Sequence, residues 1–260
     1  MLRPGPRVVV GIFECRNPTR SWRGDQRSSA RYIIVRLMER IAELEVMDDE
    51  EQARGYAKAD FSEGHNRFVA LFRDIFPDTS PGDVALDLGC GAADVTIRFA
   101  RALPAVRVVG IDAAEAMLAI ARDAIAAQPE LDGRIRLVRG HLPEAALEAQ
   151  AYDIILSNSL LHHLVDPHTM WRAAQHYGKP GAPVFVMDLR RTESREEARR
   201  LVARYTQPTD APVLINDFYN SLISAYTPEE IRAQLDEAGL NHFTVQPLMD
   251  RYVLVHGRLR

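Results

Sequence analysis

From Val84 onward, short apolar runs alternate with stretches whose apolar residues recur at helical spacing. Val84–Leu88, Val106–Ile111, Ile135–Val138, Tyr152–Ser157 and Pro183–Asp188 are continuous apolar runs bounded by turn residues, the pattern of buried parallel strands. Helical spacing fills the gaps from Ala92 onward, over Ala114–Ala127 and Pro167–Tyr177, with a shorter helix expected over Pro143–Ala149. Regular strand–helix alternation predicts a mostly parallel sheet covered by helices on both faces. The alternation breaks after the fifth strand, where a long, largely polar insertion over Arg190–Tyr226 reads as a lid. Thr227-Pro-Glu-Glu230 then predicts a capped helix start, and Gly239 its end. His242–Gln246 and Arg251–His256 predict an edge hairpin, which brings the sheet to seven strands.

Three helices are expected ahead of the sheet. Ile33, Ile34, Leu37, Met38, Ile41 and Leu44 space one over Ala30–Leu44. Asp48-Asp49-Glu50-Glu51 opens a second that runs through Tyr56, the acids suiting the positive end of the helix dipole. Ser62 is expected to cap a third, which reaches Pro77 through Phe68, Val69, Leu71, Phe72 and Ile75. Residues 38–80 thus read as an N-terminal helical extension of a domain spanning 38–260.

Charge divides the chain differently from hydropathy. Residues 1–37 carry eight arginines against Glu14 and Asp25, a net charge of +6, so the other residues carry −4 − 6 = −10. The head reads as a disordered, dispensable leader ahead of Met38, and the acidic body argues against a nucleic-acid partner. Cys15 and Cys90 are the only cysteines and stand far apart, so neither a disulfide framework nor a metal site is expected, and a reducing cytoplasm fits. No apolar run is long enough to span a membrane.

The candidate chemistry starts where the first strand breaks into Asp87-Leu-Gly-Cys-Gly-Ala-Ala93. A glycine turn at the carboxyl end of a strand is where open α/β sheets bind ligands. Asp94 stands where a dinucleotide fingerprint needs its third glycine, and a charge there opposes a pyrophosphate. Asp112 ends the second strand about twenty residues after Gly91, where a carboxylate accepts both hydroxyls of a ribose. The expected ligand is a nucleoside without a pyrophosphate.

The stretches Leu86-Asp-Leu-Gly-Cys-Gly91, Gly110-Ile-Asp112 and Tyr152-Asp-Ile-Ile-Leu-Ser-Asn-Ser-Leu-Leu-His-His-Leu164 together resemble the class I S-adenosylmethionine-dependent methyltransferases. The resemblance covers roughly residues 48–260, and the glycine loop with Asp94-Val-Thr96 is similar to that of quinone-biosynthesis members. It implies S-adenosylmethionine as cofactor and a small-molecule acceptor. The cofactor's amino acid would lie over Asp87, Gly89, Cys90 and Gly91, and its ribose on Asp112. Its adenine would lie between Ala113, Met117 and the Gly140-His141-Leu142 loop, and Asn158 and Ser159 would stand beside the sulfonium. His141 occupies a position where the family commonly has an acid that accepts from the adenine amino group; a neutral imidazole accepts one such bond.

His162 or His163 would serve as general base if the acceptor must lose a proton. Asp188, Arg190 and Tyr219 are candidate acceptor contacts, the arginine as a clamp for a carboxylate or phosphate, with Tyr56 and His65 as further wall residues. Two other readings stay open at this point: a non-catalytic relative that binds the cofactor or a protein partner, and a nucleic-acid methyltransferase that uses the arginine-rich head.

Overall fold

The computed structural model describes residues 38–42, 48–80, 82–207 and 209–260. The leader at 1–37, and with it most of the helix expected over 30–44, lies outside the described residues. What is described of that helix, Met38–Ala42, is not helical. Its amides find partners elsewhere, Ile41 N–H donating to the carbonyl of Ile223 at 3.2 Å, so nothing there closes a helical turn.

The sheet has seven strands: β1 Val84–Leu88, β2 Arg107–Asp112, β3 Ile135–Arg139, β4 Ile154–Asn158, β5 Pro183–Leu189, β6 Thr244–Leu248 and β7 Tyr252–Arg258. Their spatial order is β3-β2-β1-β4-β5-β7-β6, with the first five parallel and β7 antiparallel to both β5 and β6. The edge hairpin expected from sequence is β6–β7. The chain order reverses direction between β1 and β4, so a crevice opens at the carboxyl ends of these two strands.

Eight described helices surround the sheet: α1 Glu50–Lys58, α2 Ser62–Ile75, α3 Asp94–Ala102, α4 Glu115–Ala126, α5 His168–Tyr177, α6 Arg195–Tyr205, α7 Pro212–Ser224 and α8 Pro228–Glu237. Thr227 caps α8 in a full capping box with Glu230. The cap of α2 differs from expectation. Ser62 is already helical and its N–H donates to Oδ1 of Asp60 at 2.9 Å, so the aspartate two residues upstream satisfies the helix start. Pro143–Ala149 forms turns rather than a helix. The Tyr177 hydroxyl takes the N–H of Ala145 at 3.0 Å and donates to the carbonyl of Pro143 at 2.6 Å, a substitute for helical bonding. The insertion over 190–226 is α6 and α7, amphipathic rather than simply polar. Ala198, Leu201 and Val202 at helical spacing pack with Leu222, Ile223 and Leu189 in a small apolar cluster of their own.

Alternation along the strands sorts the core into two layers. Leu86, Leu88, Val184 and Val186 point to the face covered by α5 and α8, where Met170, Trp171 and Ile231 are fully buried. Ala85, Phe185 and Met187 point to the other face, where Phe68, Phe72 and Phe76 of the α2 region and Phe99 of α3 pack. Phe72 meets Phe99 and Phe185 edge to face, at centroid distances of 4.9 and 5.6 Å. The N-terminal helices are therefore part of the core and not an appended lobe. Among the described residues no helix is long and apolar enough to cross a membrane.

Phe72→Ala removes a fully buried ring that joins α2, α3 and β5. A loss of about 3–5 kcal/mol in unfolding free energy is expected by denaturant titration; a loss below about 1 kcal/mol would show α2 to be peripheral.

Candidate active site

Two strand ends build the floor of the site. At the end of β1, Gly89 and Gly91 take positive φ of 71° and 52°, and Ala93 joins them at 65° as the chain turns into α3. The N–H groups of Gly89 and Cys90 both donate to the carbonyl of Ile111, at 2.9 and 3.0 Å, which ties the turn to β2. Asp112, one residue further along β2, accepts the N–H of Gly91 at 2.8 Å on one oxygen and of Ala114 at 2.9 Å on the other. A carboxylate has about four acceptor sites, so both oxygens keep capacity for a ligand's hydroxyls. Burial raises the Asp112 pKa above the ordinary carboxylate value, although these backbone N–H groups oppose the shift.

Asp87 lies on the α3 side of the sheet, where the alternation puts it with Ala85. It is buried and accepts the hydroxyl of Thr96 at 2.6 Å. Burial pushes its pKa up to about 7, with the Thr96 bond working against the shift and the neighbouring Asp112 adding to it. Cys90 fills space rather than reacting: its thiol is pushed well above the ordinary range by burial, and a Cβ on Gly110 would come within 2.8 Å of its sulfur. Asp94, the residue that argued against a dinucleotide, joins helices instead. It accepts from His65 Nδ1 on α2 and from Arg98 Nε at 2.8 Å. Burial alone would raise its pKa, but these two partners outweigh it and hold Asp94 down to about 2.

A cavity of about 610 Å³ extends from this floor. Asp87, Gly89, Cys90, Gly91, Asp112, Ala113, Met117, Gly140, His141, Leu142, Asn158 and Ser159 all line it, and so do His162 and His163. Strands far apart in sequence thus deliver every expected cofactor position to one space. Gly91 faces it with a Cβ position 3.1 Å from Met117 Cε, so a side chain there would crowd the floor. Asn158 Oδ1 is buried with no hydrogen-bond partner among the described residues, while its amide nitrogen donates to Ser159.

The two histidines sit in a short 3₁₀ turn, Leu161–His163, just after β4. His162 is 3% exposed, and its Nδ1 is 2.6 Å from Oδ1 of Asp188 at the end of β5. Asp188 also accepts the N–H groups of Leu161 and Leu189, each at 2.7 Å. The carboxylate surrounded by donors selects the tautomer with hydrogen on Nδ1, which leaves Nε2 as the proton acceptor. Burial, with the adjacent His162, lowers the His163 pKa well below the ordinary value and keeps that ring neutral.

The residues expected to contact the acceptor do not line this cavity. Asp188 does not line the cavity; it stands behind His162. Arg190 is turned away, donating to the carbonyl of Asp250 at 3.0 Å, and Arg191 is buried against Glu230 at the start of α8. Tyr219 packs in the α6–α7 cluster with Arg199 over its ring at 5.9 Å. From the same aromatic and polar run Asn216–Asn220, Asp217 and Phe218 line the cavity, together with Leu214 and Ser221 of α7. Those four share the i, i+3, i+4, i+7 stripe, a signal present in the sequence but masked by the polar residues between. Tyr56 and His65 do reach the wall, and Tyr252 of β7 joins them without any sequence signal. Burial raises the Tyr56 pKa, and Tyr252 adds to the shift.

Comparison with known proteins agrees with this construction. Residues 85–181 match a family described as a methyltransferase domain. A ubiquinone biosynthesis O-methyltransferase from Hahella chejuensis is 35% identical over 112 residues, which cover 43% of this chain and 45% of that protein. The match thus spans about half the length of that relative. One of the same description from Cronobacter sakazakii is 29% identical over 190 residues, covering 68% of this chain and 71% of its own. A demethylmenaquinone methyltransferase from Bacillus cytotoxicus is 25% identical over 188 residues, covering 69% and 78%. Among solved structures, a SAM-dependent methyltransferase from Aquifex aeolicus superposes with a TM-score of 0.59 at 15% identity, over 82% of this chain and 99% of that one. The plantazolicin methyltransferase BpumL, solved in complex with a desmethyl-plantazolicin analogue and SAH, gives 0.61 at 13%, over 82% and 92%. The glycine turn, the Asp112 carboxylate and the seven-stranded order agree with these matches: residues 85–181 match a methyltransferase domain, and the fold is that of solved S-adenosylmethionine-dependent methyltransferases.

Proposed function

We propose that this domain transfers the methyl group of S-adenosylmethionine to a hydroxyl of a small, largely apolar molecule, with His162 as general base. The observation that carries the reading is the buried His162–Asp188 pair on the rim of the cavity whose floor holds Asp112. The residues present fit the cofactor: Asp112 has open acceptor capacity, Gly91 leaves room beside Met117, and Asn158 Oδ1 has no partner among the described residues. On this reading Asp87 and the Gly89–Gly91 turn hold the amino acid end, Asp112 the ribose, and Ala113, Met117, Gly140, His141 and Leu142 the adenine. Asn158 and Ser159 face the sulfonium, whose methyl group is the electrophile the cofactor supplies.

The chain's own contribution is alignment and one proton. Leu160, Leu164, Leu189, Leu214 and Phe218 give the outer cavity apolar walls, which exclude water and orient the acceptor. His162 Nε2 would take the proton that the acceptor hydroxyl gives up, and the Asp188 carboxylate would stabilise the resulting imidazolium. Hydroxyl acceptors are supported by the similarity to ubiquinone biosynthesis O-methyltransferases. A carboxylate or phosphate clamp is not supported, since Arg190 and Arg191 are engaged elsewhere. We further propose that α7, with α1, serves as the lid. Gln52 of α1 donates to Asp217 of α7, a residue that lines the cavity, at 3.0 Å. Residues 1–37 are assigned no part in cofactor binding, nucleic acid no part as substrate, and the free, buried Cys90 thiol suits a reducing cytoplasm.

Asp112→Ala is expected to weaken S-adenosylhomocysteine binding about 10- to 100-fold by calorimetry, the effect of losing hydrogen bonds to a charged group worth about 1.5–3 kcal/mol; unchanged affinity would sink the cofactor assignment. Asp87 gives a pH signature. Its pKa near 7 in the ligand-free fold means that it is protonated below that pH, whereas a cationic ammonium beside it favours the ionised form. Binding should therefore release a proton at about pH 6, release almost none at about pH 8, and be tighter at the higher pH. Asp87→Asn should abolish this difference, which calorimetry in buffers of different ionisation heat would detect. With a catechol as acceptor, His162→Ala should lower kcat by about 10²–10⁴ at unaltered cofactor affinity. Asp188→Asn should lower it through the wrong tautomer; full activity of both variants would exclude the base.

A further inference from the structure

Arg40 lies in the short extended segment Met38–Ala42, which no motif singled out. Its guanidinium is half-buried and grips backbone from two separate parts of the site. Nε donates to the carbonyl of Ser224 at 2.5 Å, while Nη2 donates to the carbonyls of His162 at 2.9 Å and Leu164 at 3.0 Å. The group also lies over the ring of Tyr226, 4.0 Å from its centroid, and the Tyr226 hydroxyl donates to the same Leu164 carbonyl at 2.8 Å.

These acceptors are of one kind. Ser224 is the last residue of α7, and His162 and Leu164 belong to the 3₁₀ turn and its end. Each carbonyl lies where a helix leaves it without an internal partner, at the negative end of the helix dipole. A guanidinium suits such a place because its planar fork holds several oxygens in fixed directions; an ammonium on a flexible stem is a single point. The two elements that it joins both line the cavity. The turn brings His162, His163 and Leu164, and α7 brings Asp217, Phe218 and Ser221. The next residue along the segment adds a backbone bond to the same helix end, Ile41 N–H to Ile223.

We propose that Arg40 is a positioning residue, which fixes the turn carrying His162 against the C-terminus of α7 and so sets the spacing between base and acceptor wall. This rests on His162 being the base, but the clamp itself is testable without turnover. Arg40 touches neither the glycine turn nor Asp112, so its loss acts on one side of the cavity only.

The test is hydrogen exchange by mass spectrometry on the full chain and on Arg40→Met, Arg40→Lys and Tyr226→Phe. In Arg40→Met, amides in 160–165 and 220–226 should exchange faster together, by about tenfold or more, while those in 84–96 keep their protection. S-adenosylhomocysteine affinity should stay within about twofold of the parent, and kcat with a catechol acceptor should fall with KM for the cofactor unchanged. Arg40→Lys should match Arg40→Met over 160–165, because charge without the fork does not span three carbonyls. Tyr226→Phe keeps the stack and should loosen 160–165 alone. Unchanged exchange over 160–165 would overturn the proposal, as would acceleration spread equally to 84–96, which marks general destabilisation. Should Arg40→Met not fold, the other two variants decide by the same pattern. Absence of cofactor binding by the parent chain would instead defeat the methyltransferase reading and leave the exchange result to judge the clamp.

Discussion

The bond from the Gly91 N–H to the Asp112 carboxylate is the contact on which the site depends. It joins the turn after β1 to the end of β2, two strands already in register from Val84 opposite Arg107 to Leu88 opposite Ile111. The glycine turn therefore cannot relax without disturbing the carboxylate, nor the carboxylate rotate without freeing the turn. A parallel sheet with helices on both faces leaves its carboxyl edge as the one place where unpaired backbone groups of several strands converge. Here that edge carries Asp112 at β2, Asn158 and the histidine turn at β4, and Asp188 at β5. Strand order alone brings the first two near one another, and the pairing of β4 with β5 brings Asp188 to His162.

Electrostatics then separates two carboxylates of the same type. Asp87 is dry and has one hydroxyl donor, so it stands close to its titration point near neutral pH. Asp94, half-buried between an imidazole and a guanidinium, stays ionised. The first is suited to respond to an incoming cation, the second to hold α2 against α3 whatever the pH. A chain that placed both in one environment would lose either the responsive floor or the fixed wall.

The sheet and its floor were legible in the sequence because buried strands write their burial as uninterrupted apolar runs, and because glycine at positive φ leaves few alternatives. Asp112 and the histidines were legible through their distance from the ends of those runs. The outer wall was not. Whether α7 turns Asp217 or Tyr219 inward is a matter of helix phase, set by packing against Leu189 and the α6 cluster rather than by anything local. The surroundings of Arg190 and Asp188 were not legible for a related reason. A charged residue at a strand end looks equally apt for a ligand and for a neighbouring backbone, and only the register of β5 with β7 decides. The helix expected over Pro143–Ala149 failed on a single distant hydroxyl, that of Tyr177.

One asymmetry among the walls bears on how such a protein changes over time. The α2 side of the cavity is also the aromatic core: His65 lies one turn from Phe68 and two from Phe72, so altering it risks the fold. The stripe Leu214, Asp217, Phe218 and Ser221 belongs to a helix whose main apolar partners are α6 and the end of β5. Of those four, Phe218 packs in the cluster that holds Leu189 and Tyr252, whereas Leu214, Asp217 and Ser221 lie outside the apolar clusters of the sheet. A lineage could retune its acceptor through this one helix as through a replaceable cassette, keeping cofactor, base and core constant.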